Sequence, residues 1–484
     1  MSKPSSVEQV RADSSRGIKW VGIAEVFIRG TQFLTTVVLA RILMPADFGV
    51  IGIALLFTQL SFVLFDFGMS SALVQKKDVE PRHYATVFLV YVALSALFSV
   101  VVVLGSGWVA AWFDQPVLEG MLDVLVVLFV FHSLNAIPTV ELMRELRFKR
   151  LSSFQTAGVF AYGVAAVGAA LLNAGVWSFV YGAIAEQAVM TVLLYANTRW
   201  RPTFRFDRDA FRELFRYGGN VLATRVVGYM NANAPYLFIG RILGATQLGY
   251  YSIAYQLVEF PVQRISKNVL RVMFPAFSKL QDDMPGYREL YQQTLYYLAL
   301  LTVPIFTGMA LVAPDFVRVV YGEKWAPAIV PLQLLAMVGF CRSMWATASV
   351  VYLSKGFPQT ELRISAGYTL FLVPALFVAA PHGVAAVAVV LAVVLLVFYL
   401  VALVRALKII DLRLVDLWRT LRIPFSGALL MAAATLGLRW GLLGGAGHLA
   451  GLVTAIAAGV LVYAGLVLWA DRGILKKAIQ FLGA

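Results

Sequence analysis

The chain is poor in the residues from which most active sites are made. Its 484 residues include one cysteine, Cys341, which excludes an internal disulfide. The four histidines, His83, His132, His382 and His448, are scattered with no metal-ligand spacing. Charged residues make up 14% of the chain and hydrophobic residues 60%, too little polar surface for a soluble globular protein. No polar interval is long enough to fold separately. The longest, 197–216 and 278–289, read as loops or amphipathic helix starts. Met1–Lys19 lacks the short apolar core of a cleaved signal peptide, so the first apolar run is expected to be a permanent span.

What the chain does have is long apolar runs, each near the roughly 20 residues a transmembrane helix needs. Fourteen are expected, at about 18–43, 47–73, 84–106, 118–142, 151–173, 176–197, 213–243, 247–275, 289–313, 326–353, 358–380, 383–407, 420–441 and 449–470. The net charge of +14 would suit nucleic acid, but its distribution argues against it. Of the 40 Lys and Arg, 29 fall in the termini and the even-numbered loops, and five in the odd loops: Arg41, Arg241, Arg318, Lys324 and Arg439. That alternation is a topology signal and predicts both termini on the cytoplasmic side. Trp108, Trp112, Trp325 and Trp440 are expected in an external interfacial belt, and Asp114, Glu119, Asp315 and Glu323 to be solvated in external loops.

A repeat organises the spans. Ala40–Gly49 (ARILMPADFG) returns at an offset of 200 as Gly240–Gly249 (GRILGATQLG), and Gly175-Val176 returns as Gly383-Val384. Spans 1–6 therefore echo spans 7–12. Because six is even, the two halves are parallel. The expected fold is all-α: two parallel six-helix bundles, 1–200 and 201–410, around a central cleft, followed by two further helices in 411–484. Asp47 is expected to cap the helix after the first tight turn. Pro138, Pro235, Pro261, Pro304 and Pro374 fall inside spans, where a missing N–H bends a helix; Asn231 and Asn233 are placed to satisfy freed backbone groups or a polar substrate.

Charges inside the membrane are the candidate site. Arg29 lies ten residues beyond Lys19, about 15 Å deep, and Glu25 can pair with it one turn away. Glu25 maps onto Arg225 at the repeat offset, which suggests a charge latch between the halves. At about 100° per residue Arg264, Lys267 and Arg271 fall in a narrow arc on one helix face, with Arg271 able to snorkel. Arg342 is about 20 Å from Lys355 and cannot reach the interface. Such a basic interior suits an anionic group, and an Arg fork grips two phosphate oxygens. The internal acids are Glu25, Glu141, Glu186 and Glu259, with Asp66 near a span end; each is either a packing partner or a carrier of a coupling ion.

Several motifs carry a family likeness: Leu39–Gly49, Phe65–Gln75 (FDFGMSSALVQ), Arg144–Arg150 (RELRFKR) after Pro138, Tyr250–Tyr255 (YYSIAY) and Phe274–Ser278 (FPAFS). On these the chain resembles the polysaccharide transporter branch of the multidrug/oligosaccharidyl-lipid/polysaccharide exporter superfamily, above all Wzx-type flippases. The resemblance runs through about the first 400 residues. It implies two six-helix bundles with extra C-terminal helices. It also implies flipping of undecaprenyl-diphosphate-linked oligosaccharide repeat units across the bacterial inner membrane, for exopolysaccharide, capsule or O-antigen synthesis. The family's cation-lined cavity matches Arg29, Arg264 and Arg342, with Lys267, Arg225, Asn231 and Asn233 as further cleft candidates and Glu25 and Glu259 as latch or coupling candidates.

Three readings compete at this point. One is the oligosaccharide flippase, working by alternating access. The second keeps the fold and changes the cargo, to a drug or cation antiporter or a peptidoglycan-precursor flippase. The third is a membrane polymerase, disfavoured because the largest external loops, 105–119 and 314–327, are short. No enzyme activity, metal or cofactor is expected, only H+ or Na+ coupling. Expected partners are the lipid-linked oligosaccharide, the bilayer, and polymerase and chain-length machinery.

Overall fold

A computed structural model describes residues 6–65, 69–76, 78–441 and 447–470; several side chains within its helices, including those of Arg225, Lys267, Arg271 and Trp440, lie outside the described residues. No strand occurs among the described residues. The first helices are α1 (Ser6–Ile42), α2 (Pro45–Phe65), α3 (Met69–Gln75), α4 (Pro81–Phe113), α5 (Val117–Leu125) and α6 (Val127–Arg144). They are followed by α7 (Phe148–Leu171), α8 (Trp177–Asn197), α9 (Arg208–Ile242), α10 (Gly244–Pro261) and α11 (Lys267–Lys279). The last six are α12 (Met284–Phe316), α13 (Ile329–Ser354), α14 (Pro358–Ala379), α15 (Val384–Ile409), α16 (Leu414–Gly441) and α17 (His448–Ala470). The helices are consistent with the fourteen expected spans. Eleven are long and apolar enough to cross a membrane, among the described residues.

The repeat is visible in the helix ends. α1 stops at Ile42 and α9 at Ile242, each one residue past the paired arginine. α8 and α15 begin just after Gly175 and Gly383, both at positive φ (55° and 99°), where a side chain would strain the backbone. Asp47 does take part in a cap, but from the third position of α2: its Oδ2 accepts the Met44 N–H at 2.8 Å. The carboxylate reaches back to the residue before the helix because Pro45 occupies the first helical position.

The chain forms two compact units, Met1–Thr246 and Gln247–Ala484, so α9 groups with the first six spans. In the first unit, small residues let helices approach closely. Gly182 on α8 faces Ala166 and Tyr162 of α7, and Gly163 on α7 faces Thr35 of α1. A core of Leu73, Phe88, Tyr91, Ile137 and Val140 joins α3, α4 and α6. The Arg144 guanidinium closes it by donating to the carbonyls of Leu73 and Lys76, both at 2.6 Å. In the second unit α13 is the central rod. It packs on α12 and α15 through Tyr291, Leu298, Met344, Val351, Tyr399 and Leu403, while the Tyr352 hydroxyl donates to the Ala402 carbonyl at 2.5 Å.

Two expectations fail here for one reason: loops expected to be external fold back onto the helices. Trp325 is fully buried in a 3-10 turn, edge-on to Tyr250 at 6.0 Å, and so is not an interfacial anchor. Asp315 is buried as well. His448 Nδ1 lies 2.7 Å from its Oδ1 and Arg439 Nη2 3.4 Å from its Oδ2, because α17 starts beside the end of α12. Trp108 is 68% exposed.

Candidate substrate-binding residues

Pro261 ends α10 and has no N–H to give to the carbonyl one turn back. The next five residues, Val262–Ser266, take the wider π register before α11 resumes. Such one-turn π segments often mark functional positions. This one interrupts the helix between Glu259 and Lys267 and carries Gln263 and Arg264. The narrow arc expected for Arg264, Lys267 and Arg271 assumed an unbroken α-helix, and the π turn removes that premise at Arg264.

Opposite the break stands α13. Gly339 brings it close to α10 and α12, since a β-carbon there would lie 2.6 Å from Val258 Cγ1 and would overlap the Phe306 ring. One turn further along the same face, Arg342 meets Glu259. Its Nη1 donates to Glu259 Oε2 at 2.5 Å and to the Tyr255 hydroxyl at 2.6 Å. Gln263 Nε2 holds the other oxygen of Glu259. Tyr255 is itself stacked on Tyr251, ring centroids 5.7 Å apart. The pair is half-buried, with side-chain exposures of 26% for Arg342 and 21% for Glu259. Arg342 therefore spends one nitrogen on the protein. Its Nε and Nη2 make no ion pair or hydrogen bond among the described residues. Those are the donors a phosphate or carboxylate would meet.

Arg29 is arranged in the same way on α1. Its Nε donates to Glu25 Oε1 at 3.0 Å and its Nη1 to Gln32 Oε1 at 2.7 Å, which leaves Nη2 without a partner among the described residues. The expected i, i+4 pair thus forms, with an unexpected amide beside it, and Arg29 is 44% exposed. Arg264, Asn231 and Asn233 are half-buried. Asn233 Nδ2 donates to the Tyr229 carbonyl at 2.9 Å, so it serves the backbone. Lys267 and Arg225, and with Arg225 the latch to Glu25, lie outside the described residues.

Tyr255, Gln263 and Gln32 were missed because uncharged residues in an apolar span give little signal. Asn135, Gln187 and Thr191 were missed likewise. Thr191 donates to Asn135 Oδ1 at 2.8 Å and Asn135 to Gln187 Oε1 at 3.2 Å, a polar chain between α6 and α8. Glu361 is a further omission. Its Oε1 accepts from Ser349 at 2.8 Å and Trp345 at 3.3 Å, while its Oε2 is buried without a hydrogen-bond partner among the described residues. Glu141, by contrast, acts as a packing partner, accepting the Trp200 N–H at 3.3 Å. No group of three metal-ligating side chains occurs among the described residues.

Known proteins share this sequence pattern. Residues 38–330, more than half of the chain, match the protein family described as "Polysaccharide biosynthesis protein". The chain belongs to that family. It is 28% identical to the lipopolysaccharide biosynthesis protein WzxC of Escherichia coli, covering 76% of this chain and 75% of WzxC. It is equally similar, at 28%, to the teichuronic acid biosynthesis protein TuaB of Bacillus subtilis, over 87% of both chains. The succinoglycan biosynthesis transport protein ExoT of Rhizobium meliloti is 25% identical over 67% of this chain and 65% of ExoT. Among solved structures, the lipid II flippase MurJ in an inward closed conformation superposes with a TM-score of 0.76 over 94% of this chain and 99% of MurJ, at 15% identity. An inward-facing multidrug transporter of the MOP superfamily follows at 0.64, 11% identity, over 81% and 98%. The fold is thus that of MOP-superfamily transporters, and the relatives are polysaccharide-biosynthesis proteins, ExoT among them a transport protein.

Proposed function

We propose that this protein is a flippase for undecaprenyl-diphosphate-linked oligosaccharide repeat units in the bacterial inner membrane, with both termini cytoplasmic and an alternating-access cycle. The observation that carries the reading is the half-spent Arg342. It is a guanidinium fixed by Glu259 and Tyr255 within membrane-spanning rods, with Nε and Nη2 still open to an anion. Arg29 repeats the pattern on α1. A diphosphate carries charge that hydrocarbon rejects, so any path for it must present preplaced donors. The sugars would follow through a hydrated path while the polyprenyl chain stays in lipid. No covalent bond changes. Since Glu25 and Glu259 each hold an arginine, proton or sodium binding at either carboxylate would release that arginine, and this supports ion coupling.

Purified protein in vesicles, supplied with a labelled undecaprenyl-diphosphate-linked oligosaccharide, should move label across the bilayer. Replacement of Arg29 and Arg342 together should stop it. Undiminished transport in that double variant removes the proposed site. A second reading, a peptidoglycan-precursor flippase, draws on the fold likeness to the lipid II flippase and asks the same diphosphate chemistry of the same arginines. The lipid-linked precursor that accumulates in a deletion strain separates the two.

A further inference from the structure

The segment between α8 and α9, residues 198–207, has no regular secondary structure, yet it is firmly held. The Trp200 N–H donates to Glu141, and its ring meets Phe88 edge-on at 5.1 Å. The Asp207 N–H donates to Thr86 Oγ1 at 3.0 Å, and Asp207 Oδ2 lies 3.6 Å from Arg82 Nη1. The strap is thereby fastened to α4 and α6. As it joins the end of one span to the start of the next, it lies at a membrane–water boundary.

Its outer surface is unusual for a solvated loop. Phe204 is 75% exposed and Phe206 55% exposed, with Arg205 between them. Phe204 and Phe206 alternate with Arg205 along the segment, and their rings touch Phe88 and Phe211, with centroids 5.8 Å apart in each pair. Arg199, Arg205, Arg208 and Arg212 are all exposed and have no ion pair or hydrogen bond among the described residues. Arg201 is exposed too, but its Nη1 donates to the carbonyls of Thr198 and Trp200. The acids nearby are few: Asp207 is used by the α9 cap and Arg82, Glu213 by Lys76, and Asp209 alone stands in the open.

We infer that this strap is a docking surface for anionic phospholipid head groups of the leaflet it faces. Two exposed phenylalanines beside unpaired arginines fit the head-group boundary, where aromatic rings enter the acyl edge and guanidiniums meet phosphates. A soluble acidic partner would leave the rings in water, whereas the bilayer edge covers both the rings and the guanidiniums. On the topology proposed above that leaflet is the cytoplasmic one. The surface is independent of the transport site.

The test uses the full-length protein with Cys341→Ala and Phe206→Cys, labelled at the new thiol with an environment-sensitive fluorophore. The protein is placed in nanodiscs of phosphatidylcholine alone or mixed with phosphatidylglycerol. Emission should shift to the blue with phosphatidylglycerol and return toward the phosphatidylcholine spectrum at high salt. Inorganic phosphate at matched ionic strength should not remove the shift beyond the effect of salt. Changing Arg199, Arg205, Arg208 and Arg212 to Gln should abolish the lipid dependence without altering the spectrum in phosphatidylcholine. Identical spectra in both lipids, in the variant with all arginines intact, overturn the proposal. Selective competition by phosphate overturns it too, in favour of a free-anion site.

Discussion

Gly49 and Ala245 touch through their main chains. A β-carbon on Gly49 would overlap the Ala245 carbonyl oxygen and lie 2.5 Å from its carbonyl carbon. Gly49 closes the first copy of the repeated turn and Ala245 opens the helix after the second, so two turns 200 residues apart in sequence share one contact within the first unit. Backbone cannot move aside as a flexible side chain can. Gly49→Ala should therefore lower the melting temperature, by an overpacking cost of about 1–3 kcal/mol. Gly30→Ala, which meets nothing within 4 Å in the same bundle, is the control and should melt at or slightly above the parent. Equal melting of the two variants would mean the close approach is not maintained.

Much of this frame could be read before the structure. Helix ends follow from where apolar runs stop, and α1 and α9 end at matched residues because both copies of the turn keep Arg-Ile-Leu. The interruption after Pro261 was legible only as a bend. A missing N–H shows in sequence, but whether the chain answers it by kinking or by widening a turn depends on the helices packed beside it. Trp325 and Asp315 were misplaced because their partners, Tyr250 and His448, lie far away along the chain.

Asp207 offers a prediction with a definite pH sign. Its Oδ1 accepts the N–H groups of Ala210 and Asp209 at 2.9 and 3.0 Å. Those backbone donors, the Ala210 N–H first, together with the charge of Arg82, hold the carboxyl below its ordinary value of 3.8. A depressed carboxylate stabilises the fold above that ordinary value, and the contribution disappears as pH falls through the lowered one. Asp207→Ala should melt below the parent at neutral pH. The gap should narrow only below about pH 4. A gap that is constant from neutral pH to pH 3 would assign the loss to the cap geometry alone.

Asp315 joins α12 to the last two helices through Arg439 and His448. Asp315→Asn keeps the shape and removes the charge both partners face. A buried hydrogen-bonded network so weakened should cost about 1–3 kcal/mol. The effect should be local: amide exchange should rise in α16 and α17 and remain unchanged in α7 and α8. Exchange that rises evenly across the protein would place Asp315 in the global core instead of in a clasp for the C-terminal pair.

The candidate site was half legible. Glu25 and Arg29 are one turn apart, and their pairing follows from helix geometry. Arg342 and Glu259 are separated by 83 residues, so sequence marks each as costly at depth without naming the other. Their pairing allows binding to be separated from folding. Arg342→Gln leaves the Glu259 carboxylate half-buried without its cation. It should cost about 1–3 kcal/mol, less than a fully enclosed pair because a quarter of Arg342 is exposed. Arg342→Gln with Glu259→Gln removes both charges and should recover most of the melting temperature. Transport of the labelled lipid-linked oligosaccharide should stay lost in the double variant, because the open Nε and Nη2 donors are gone. Arg342→Lys keeps the ion pair but not the fork. It should melt near the parent and transport about tenfold more slowly, the equivalent of one lost charge-assisted hydrogen bond. Transport restored along with stability in the double variant would mean that Arg342 serves only the fold, and that the anion is held elsewhere.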